Sequence, residues 1–215
     1  MAQPDSLLDA GVVSDGVYRN KTLGLSCKIP VGWVLRTEEM NAREDEGDSE
    51  RANPEAGTQS GPTSGKESEP PRTRRDTKDN QGSTPPSGRV LLAAFSRPPE
   101  ATGEDVNSSI LIAAESVSAY PGLKEAAQYF GPVSEVAKAQ GFKVVEEPYE
   151  FPLGTKKLVR GDFQKDVGTR VMRQSTLVML VHGYAISVTF IGGTEEEVEG
   201  LIGGLSFGAG EGSRK

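Results

Sequence analysis

The sequence predicts an α+β fold, an antiparallel β-sheet flanked by helices. Two observations carry that reading. From Thr169 to Ile191 the chain runs T-R-V-M-R-Q-S-T-L-V-M-L-V, then His182-Gly183, then Y-A-I-S-V-T-F-I. Two runs rich in β-branched, aliphatic and aromatic residues about a two-residue H-G spacer specify a tight hairpin. The second is the order of periodicities along the chain: period-2 runs, one stretch near period 3.6, more period-2 runs, and a closing capped helix.

The hairpin fixes a register. Val181 faces Tyr184, Met179 faces Ile186, Leu177 faces Val188 and Ser175 faces Phe190. Alternation places the larger apolar side chains on one face. Leu180, Val178 and Thr176 share the other with Ala185, Ser187 and Thr189, a smaller and partly polar set.

Residues 1–15 form a flexible or docking N-terminal segment, in which Leu7, Leu8, Val12 and Val13 make one apolar turn. Val17 to Arg19 is a short strand and Asn20-Lys21-Thr22 its turn. Leu25, Cys27 and Ile29 alternate with Ser26 and Lys28 as a half-buried strand that Pro30 and Gly32 stop. Trp33 covers one end of the core, because a large aromatic is costly to leave in water.

From Asn41 to Gly88 there is no Val, Ile, Leu, Met, Phe, Tyr or Trp. Such a segment has nothing to bury against an ordering entropy of about 1–2 kcal/mol per residue. The span 41–88 is therefore expected to be a disordered insertion in a single domain over 16–207. Loop-closure cost grows only logarithmically, so a fold tolerates it.

Arg89 to Ser96 and Ser108 to Val117 are strands whose near-continuous apolar character predicts burial on both faces. Pro121 to Gln140 is helical, with a stripe of Leu123, Ala126, Ala127, Phe130, Val133, Val136 and Ala137. Gly131-Pro132 lies inside it, so a kink or two short helices are expected. Gly141 ends the element. Phe142 to Pro148 and Lys157 to Phe163 are further strands. Thr194-Glu195-Glu196-Glu197 is a capping box opening a helix whose apolar face is Val198, Leu201, Ile202 and Leu205. Gly203-Gly204 weakens its end, Phe207 anchors it, and 208–215 frays.

The segment Tyr18 to Trp33, Y-R-N-K-T-L-G-L-S-C-K-I-P-V-G-W, resembles the opening of the PsbP-like superfamily. That superfamily includes the photosystem II extrinsic subunit, the Ran-binding Mog family and bacterial proteins of unassigned role. Leu23, Gly24, Ser26, Pro30, Gly32 and Trp33 match its shared pattern, and Leu25 replaces the usual aromatic. The later order of helix, G-F-K-V-V, K-L-V-R-G-D-F strand, hairpin at G-Y and T-E-E-E helix is also similar. The resemblance implies an α/β/α sandwich and a binding or assembly role without catalysis. The long insertion departs from it.

Several function classes are disfavoured. The formal charge of −7 argues against general nucleic-acid or anionic-membrane binding. No apolar run reaches the 18 or so residues of a membrane span. Cys27 is the single cysteine, so no internal disulfide is possible and Cys27 reads as a small buried hydrophobe. His182, the single histidine, reads as a turn residue rather than a base.

Arg160-Gly161-Asp162 spells an adhesive tripeptide but falls within a strand. Asn20-Lys21-Thr22 and Asn107-Ser108-Ser109 fit the glycosylation pattern. Glu146-Glu147 points to opposite faces, and Glu195-Glu196-Glu197 serves capping and the helix dipole. Gly208 to Gly212 lacks a following helix for a phosphate loop. Arg72, Arg74 and Arg75 read as a solvated run. No catalytic, cofactor or metal residue is assigned.

The function expected is therefore that of a binding or assembly domain with a protein partner. The alternative is a small-molecule or lipid carrier, with a pocket between the sheet and the broken helix near Phe130. Localisation is left open: cytoplasmic if Met1 is the native start, periplasmic or secreted if a signal has been removed.

Overall fold

The computed structural model describes residues 8–42, 88–103 and 105–208. The insertion between 42 and 88, with Arg72, Arg74 and Arg75, and the tail beyond Gly208 lie outside the described residues. No helix among them is long and apolar enough to cross a membrane.

Eleven strands form two antiparallel sheets among the described residues. The small sheet holds β1 (Val12–Ser14), β2 (Val17–Asn20), β3 (Leu25–Lys28) and β11 (Leu205–Phe207), in the order β1-β2-β3-β11. The large sheet holds β4 (Val34–Leu35), β5 (Gly88–Phe95), β6 (Ser109–Ser116), β7 (Lys143–Leu153), β8 (Lys156–Val167), β9 (Arg170–Val181) and β10 (Tyr184–Gly192). Its order is β4-β5-β6-β10-β9-β8-β7, so the β9–β10 hairpin is central. The pairs Val181–Tyr184, Met179–Ile186, Leu177–Val188 and Ser175–Phe190 are in the register read from the sequence. His182 (φ 52°) and Gly183 (φ 83°) both take the left-handed conformation. A two-residue turn matched to strand twist requires this.

The large sheet separates two clusters of apolar side chains. On one face Leu92, Ile110, Ile112, Leu158, Leu177, Ile186, Val188 and Phe190 pack against the small sheet and α2 (Glu195–Ile202). On the other, Val178, Ala185 and Phe163 pack against Tyr129, Phe130 and Ala137 of a 3₁₀ turn (Ala126–Tyr129) and α1 (Phe130–Ala139). The first face is thus closed by a small sheet as well as a helix, and the second is covered in part. That sheet was missed because β1 and β11 have only 3 residues each, too short for periodicity to register.

Five local expectations change. Val12 and Val13 are not an apolar turn: they lie in β1, 67% and 38% exposed, while Leu8 packs on the core. The Asp15-Gly16 turn, both residues at positive φ, joins β1 to β2. Pro121 to Glu125 is not helical; a 3₁₀ turn precedes α1, and Pro132 sits in the first turn of α1, where no N–H is needed. Within the expected stripe, Ala127 and Val136 are exposed. Leu205 belongs to β11, with Phe207 paired to Leu25 of β3. The capping box is modified: Thr194 Oγ1 accepts from the Glu197 N–H at 3.1 Å, but Glu197 Oε2 accepts from the Gly193 N–H at 2.8 Å.

The edge of β5 is completed by side chains from a helical turn over 37–42. Thr37 Oγ1 accepts from the Ala93 N–H at 3.0 Å. Asn41 accepts from the Val90 N–H at 2.9 Å and donates to the Val90 carbonyl at 3.0 Å, as a paired strand would. Asn41 and Ala42, at one end of the insertion, and Gly88, at the other, are therefore placed on the domain.

Candidate binding groove

α1 crosses only part of its sheet face. It covers β8 and β9 around Phe163, Val178 and Val159. Gly161 is needed there: a Cβ would lie 2.4 Å from Phe130 Cε1, so the bare backbone lets the ring seat on β8. Towards β5, β6 and β10 the face stays open as a groove of about 340 Å³. Its floor holds Leu111, Ala113 and Glu115 of β6, Ser187, Thr189 and Ile191 of β10, and Gln174 and Thr176 of β9. One rim is Pro132, Val133 and Val136 of α1, the other Met40 and Val90, and Tyr120 and Tyr129 border it too.

The floor has an unusual make-up for a face partly open to water. Leu111, Ala113, Ser187, Thr189 and Ile191 are half-buried, and Glu115 is the one ionisable side chain on the floor besides neutral groups. Solvated sheet faces ordinarily alternate to polar and charged residues. The floor hydroxyls and amide bond to one another, Thr176 Oγ1 to Thr189 Oγ1 at 3.0 Å and Gln174 Nε2 to Thr176 Oγ1 at 3.3 Å. The surface they leave is neutral apart from Glu115. Val136, on the rim, is 58% exposed.

Sequence reasoning had Ser187, Thr189 and Ala185 on a smaller, partly polar face, which is this one. It missed the groove for two reasons. The apolar run of β6 predicts burial on both faces, whereas its odd positions 111, 113 and 115 are half-buried. The periodicity also predicts a helix from Pro121, whereas the 3₁₀ turn begins only at Ala126. The available signal was the run of Ala, Ser and Thr at alternate positions.

At the Tyr120 end, Tyr120 donates its phenolic hydrogen to Glu115 Oε2. The rings of Tyr120 and Tyr129 meet at 86° with centroids 5.3 Å apart. Burial, then the Glu115 hydrogen bond and charge, push the Tyr120 hydroxyl up to about 12. Tyr129 is also raised, by burial first and Glu115 next.

A second polar cluster lies on the opposite face, under α2. Arg160, 8% exposed, donates from Nε to both oxygens of Asp162 at 3.0 Å. Its Nη2 donates to Ser175 Oγ at 3.0 Å and Glu199 Oε1 at 2.5 Å, and its guanidinium lies 5.4 Å from the centre of the Phe151 ring. Ser175 Oγ donates to Asp162, and the Tyr149 hydroxyl donates to it at 3.2 Å. Burial alone would lower the Arg160 guanidinium; the hydrogen bonds and charges of Glu199 and Asp162 outweigh it and hold it above its ordinary value. This network ties α2 to β8 and β9. Its sequence signal was Arg160 and Asp162 alternating on the Leu158 face of an apolar strand.

The remaining residues singled out are dispersed. Arg160 is buried, so the tripeptide is not displayed. His182 is exposed at the hairpin tip, seven positions along from Ser175, or about 23 Å at the strand rise. Cys27 is fully buried, and burial pushes its thiol up to about 12, away from reactivity. Asn20 is 1% exposed with its amide donating to the Asp9 carbonyl at 2.8 Å and its oxygen accepting from the Leu23 N–H at 2.9 Å. That amide is not a glycan acceptor in this fold. Asn107 bonds to the Arg97 backbone and the Ser96 hydroxyl. Glu146 and Glu147 are exposed on β7. Among the described residues no three His, Cys, Asp or Glu side chains cluster as a metal site.

No family model and no curated protein matches the chain. Among solved structures the chain is similar to the Saccharomyces cerevisiae Ran-binding protein Mog1p, with 10% identity, TM-score 0.38, and 84% of this chain covered against 77% of that one. It is also similar to PA94 of Pseudomonas aeruginosa, described as a putative regulator of unknown function (18% identity, TM-score 0.33, 47% against 68%). LpqN of Mycobacterium tuberculosis, involved in cell envelope biogenesis, follows at 11% identity and TM-score 0.32, covering 57% against 79%. Likenesses at this level carry nothing about function.

Proposed function

We propose that this chain is a binding domain without catalytic activity, and that the groove between α1 and strands β5, β6 and β10 receives an apolar segment of a partner protein. One observation carries the reading: the open part of a large sheet is floored by Leu111, Ala113, Ser187, Thr189 and Ile191 and rimmed by Val136 and Pro132. A largely neutral, partly apolar surface of this kind gains by losing water to an apolar occupant. The resemblance of Tyr18 to Trp33 to the PsbP-like opening points the same way, since members of that superfamily mostly act as binding or assembly subunits.

A displayed library of random 12-residue peptides, selected on the wild-type chain, tests this. Selected peptides are expected to share an apolar stretch and to lose binding to a Val136→Lys, Ser187→Arg variant. Peptides that bind that variant as well as the wild type would refute the groove as the site.

The carrier reading keeps a specific observation of its own. A cleft of about 340 Å³ between sheet and helix lies within the range of small-molecule pockets. It lies beside Tyr129 and Val133, however, not around Phe130, whose ring is fully packed on Gly161. Native mass spectrometry of the purified chain separates the readings. A carrier retains a small molecule that Val136→Lys, Ser187→Arg expels; a protein-binding groove comes through empty.

A further inference from the structure

We propose that the cleft beside α2, on the face opposite the groove, binds a free α-amino acid as its zwitterion. Arg160 and Arg173 hold the carboxylate and Glu195 the ammonium. The site does not depend on the groove. The cleft measures about 280 Å³ and is walled by residues of β7, β8, β9 and α2. Pockets for drug-sized ligands run from about 300 to 1,000 Å³, so this one suits a smaller molecule.

Both arginines have unpaired donors there. Arg160 is 8% exposed, and its Nε and Nη2 are engaged by Asp162, Ser175 and Glu199. Its Nη1 makes no hydrogen bond and is not sealed from solvent, so it opens into the cleft that Arg160 lines. A guanidinium fixed through its other nitrogens presents those N–H groups already oriented. Arg173 is half-buried and lines the same cleft, and among the described residues its guanidinium joins no hydrogen bond or ion pair. The sheet register brings the two together. Asp162 and Ser175, which Arg160 bonds, form one row across β8 and β9, and Gln164 and Arg173 form the next row on that face. Such rows are about 7 Å apart.

A simple anion is disfavoured, because Glu146, Asp162, Glu195 and Glu199 line the cleft along with those arginines. Asp162 and Glu199 answer Arg160, whereas Glu146 and Glu195 join no ion pair among the described residues. The charges left over are Arg173 on one side and carboxylates on the other, so the fitting occupant carries both signs. Glu195 and Glu199 lie one turn apart on the same face of α2, about 6 Å along its axis. Glu199 bonds Nη2 of Arg160, so a carboxylate at the neighbouring Nη1 has Glu195 within about a helical turn. An α-amino acid bridges such a gap with a hydrogen bond at each end, because a single carbon joins its carboxylate to its ammonium. Guanidinium–carboxylate hydrogen bonds are of the strong, charge-assisted kind.

The test is a thermal-shift screen of the full chain against the standard L-amino acids, followed by titration of the ¹⁵N-labelled chain with the strongest binder. At least one amino acid is expected to raise the midpoint and to shift the amides of Arg173, Gly193 and Glu195 while Ala113 and Ser187 stay put. Its N-acetyl derivative and its α-amide, each lacking one charge, are expected to bind at least tenfold more weakly. Arg173→Gln and Glu195→Gln, which leave the Arg160 network intact, are each expected to weaken binding at least tenfold without moving the unliganded midpoint. If no amino acid binds, or a derivative binds as well as the parent, the assignment is overturned. Unchanged affinity in either variant, or shifts centred on Ala113 and Ser187, would overturn it too. None of these failures touches the groove, whose own test is peptide binding on the other face.

Discussion

The two faces of the seven-stranded sheet are built from the same strands yet carry opposite chemistry. Along β10, Ile186, Val188 and Phe190 point to one face and are essentially inaccessible, at 0%, 1% and 0% exposure. Ser187, Thr189 and Ile191, one position on, point to the other and are half-buried. The first face is closed by a small sheet and α2, the second only partly by α1. The contrast separates stability from function within single strands: one face is committed to packing, and the other is left with a surface that suits an occupant.

The largest expected effect breaks the packed face. Phe190→Ala removes a fully buried ring and should cost about 3–5 kcal/mol, seen as a lower denaturation midpoint with an unchanged urea slope. Arg160→Met strips Asp162 of its buried partner, and a loss of about 3 kcal/mol is expected in the same assay. Because Asp162 and Glu199 keep some solvent, 18% and 46% of their side chains being exposed, the loss stays at the low end for broken buried pairs. On the helix-covered half of the second face, Gly161→Ala drives a methyl into Phe130 and should cost about 1–3 kcal/mol. Phe130→Leu in the same chain should return part of that loss, because the two sites are in contact. Val136→Lys, on the groove rim, should change stability by no more than about 0.5 kcal/mol while abolishing peptide binding.

Part of the pH dependence falls on the packed face, beside that of Tyr120 and Tyr129 on the other. The folded chain holds the Cys27 thiol, normally near 9, and the Tyr18 and Tyr149 hydroxyls, normally near 10, up to about 12, with burial the first cause in each. The unfolded chain releases these protons first. Their contribution is therefore complete below pH 9 and declines as pH rises towards 12. Thermal midpoints measured from pH 8 to 11 should fall, and Cys27→Ala should delay the onset towards pH 10.

How much of this was legible in the sequence follows the same division. Alternation of large and small residues around His182-Gly183 gave the central register residue by residue, because a one-residue slip would expose every aliphatic on the strand. The packed face followed from that register. The small sheet did not, since β1 and β11 draw their order from pairing and not from any pattern of their own. The groove did not either: where a helix begins depends on which turns tertiary contacts hold, and Pro121 to Glu125 carries enough helical periodicity to suggest an earlier start. The Arg160 network needed α2 brought over β8, a long-range placement that puts Glu199 on Arg160.

The most direct measurement is an amide-shift map of the ¹⁵N-labelled chain with a selected apolar peptide. Shifts confined to β5, β6, β10 and α1, absent in Val136→Lys, Ser187→Arg, are predicted. A map centred on the small sheet or on β7, with the groove amides unmoved, would contradict the account.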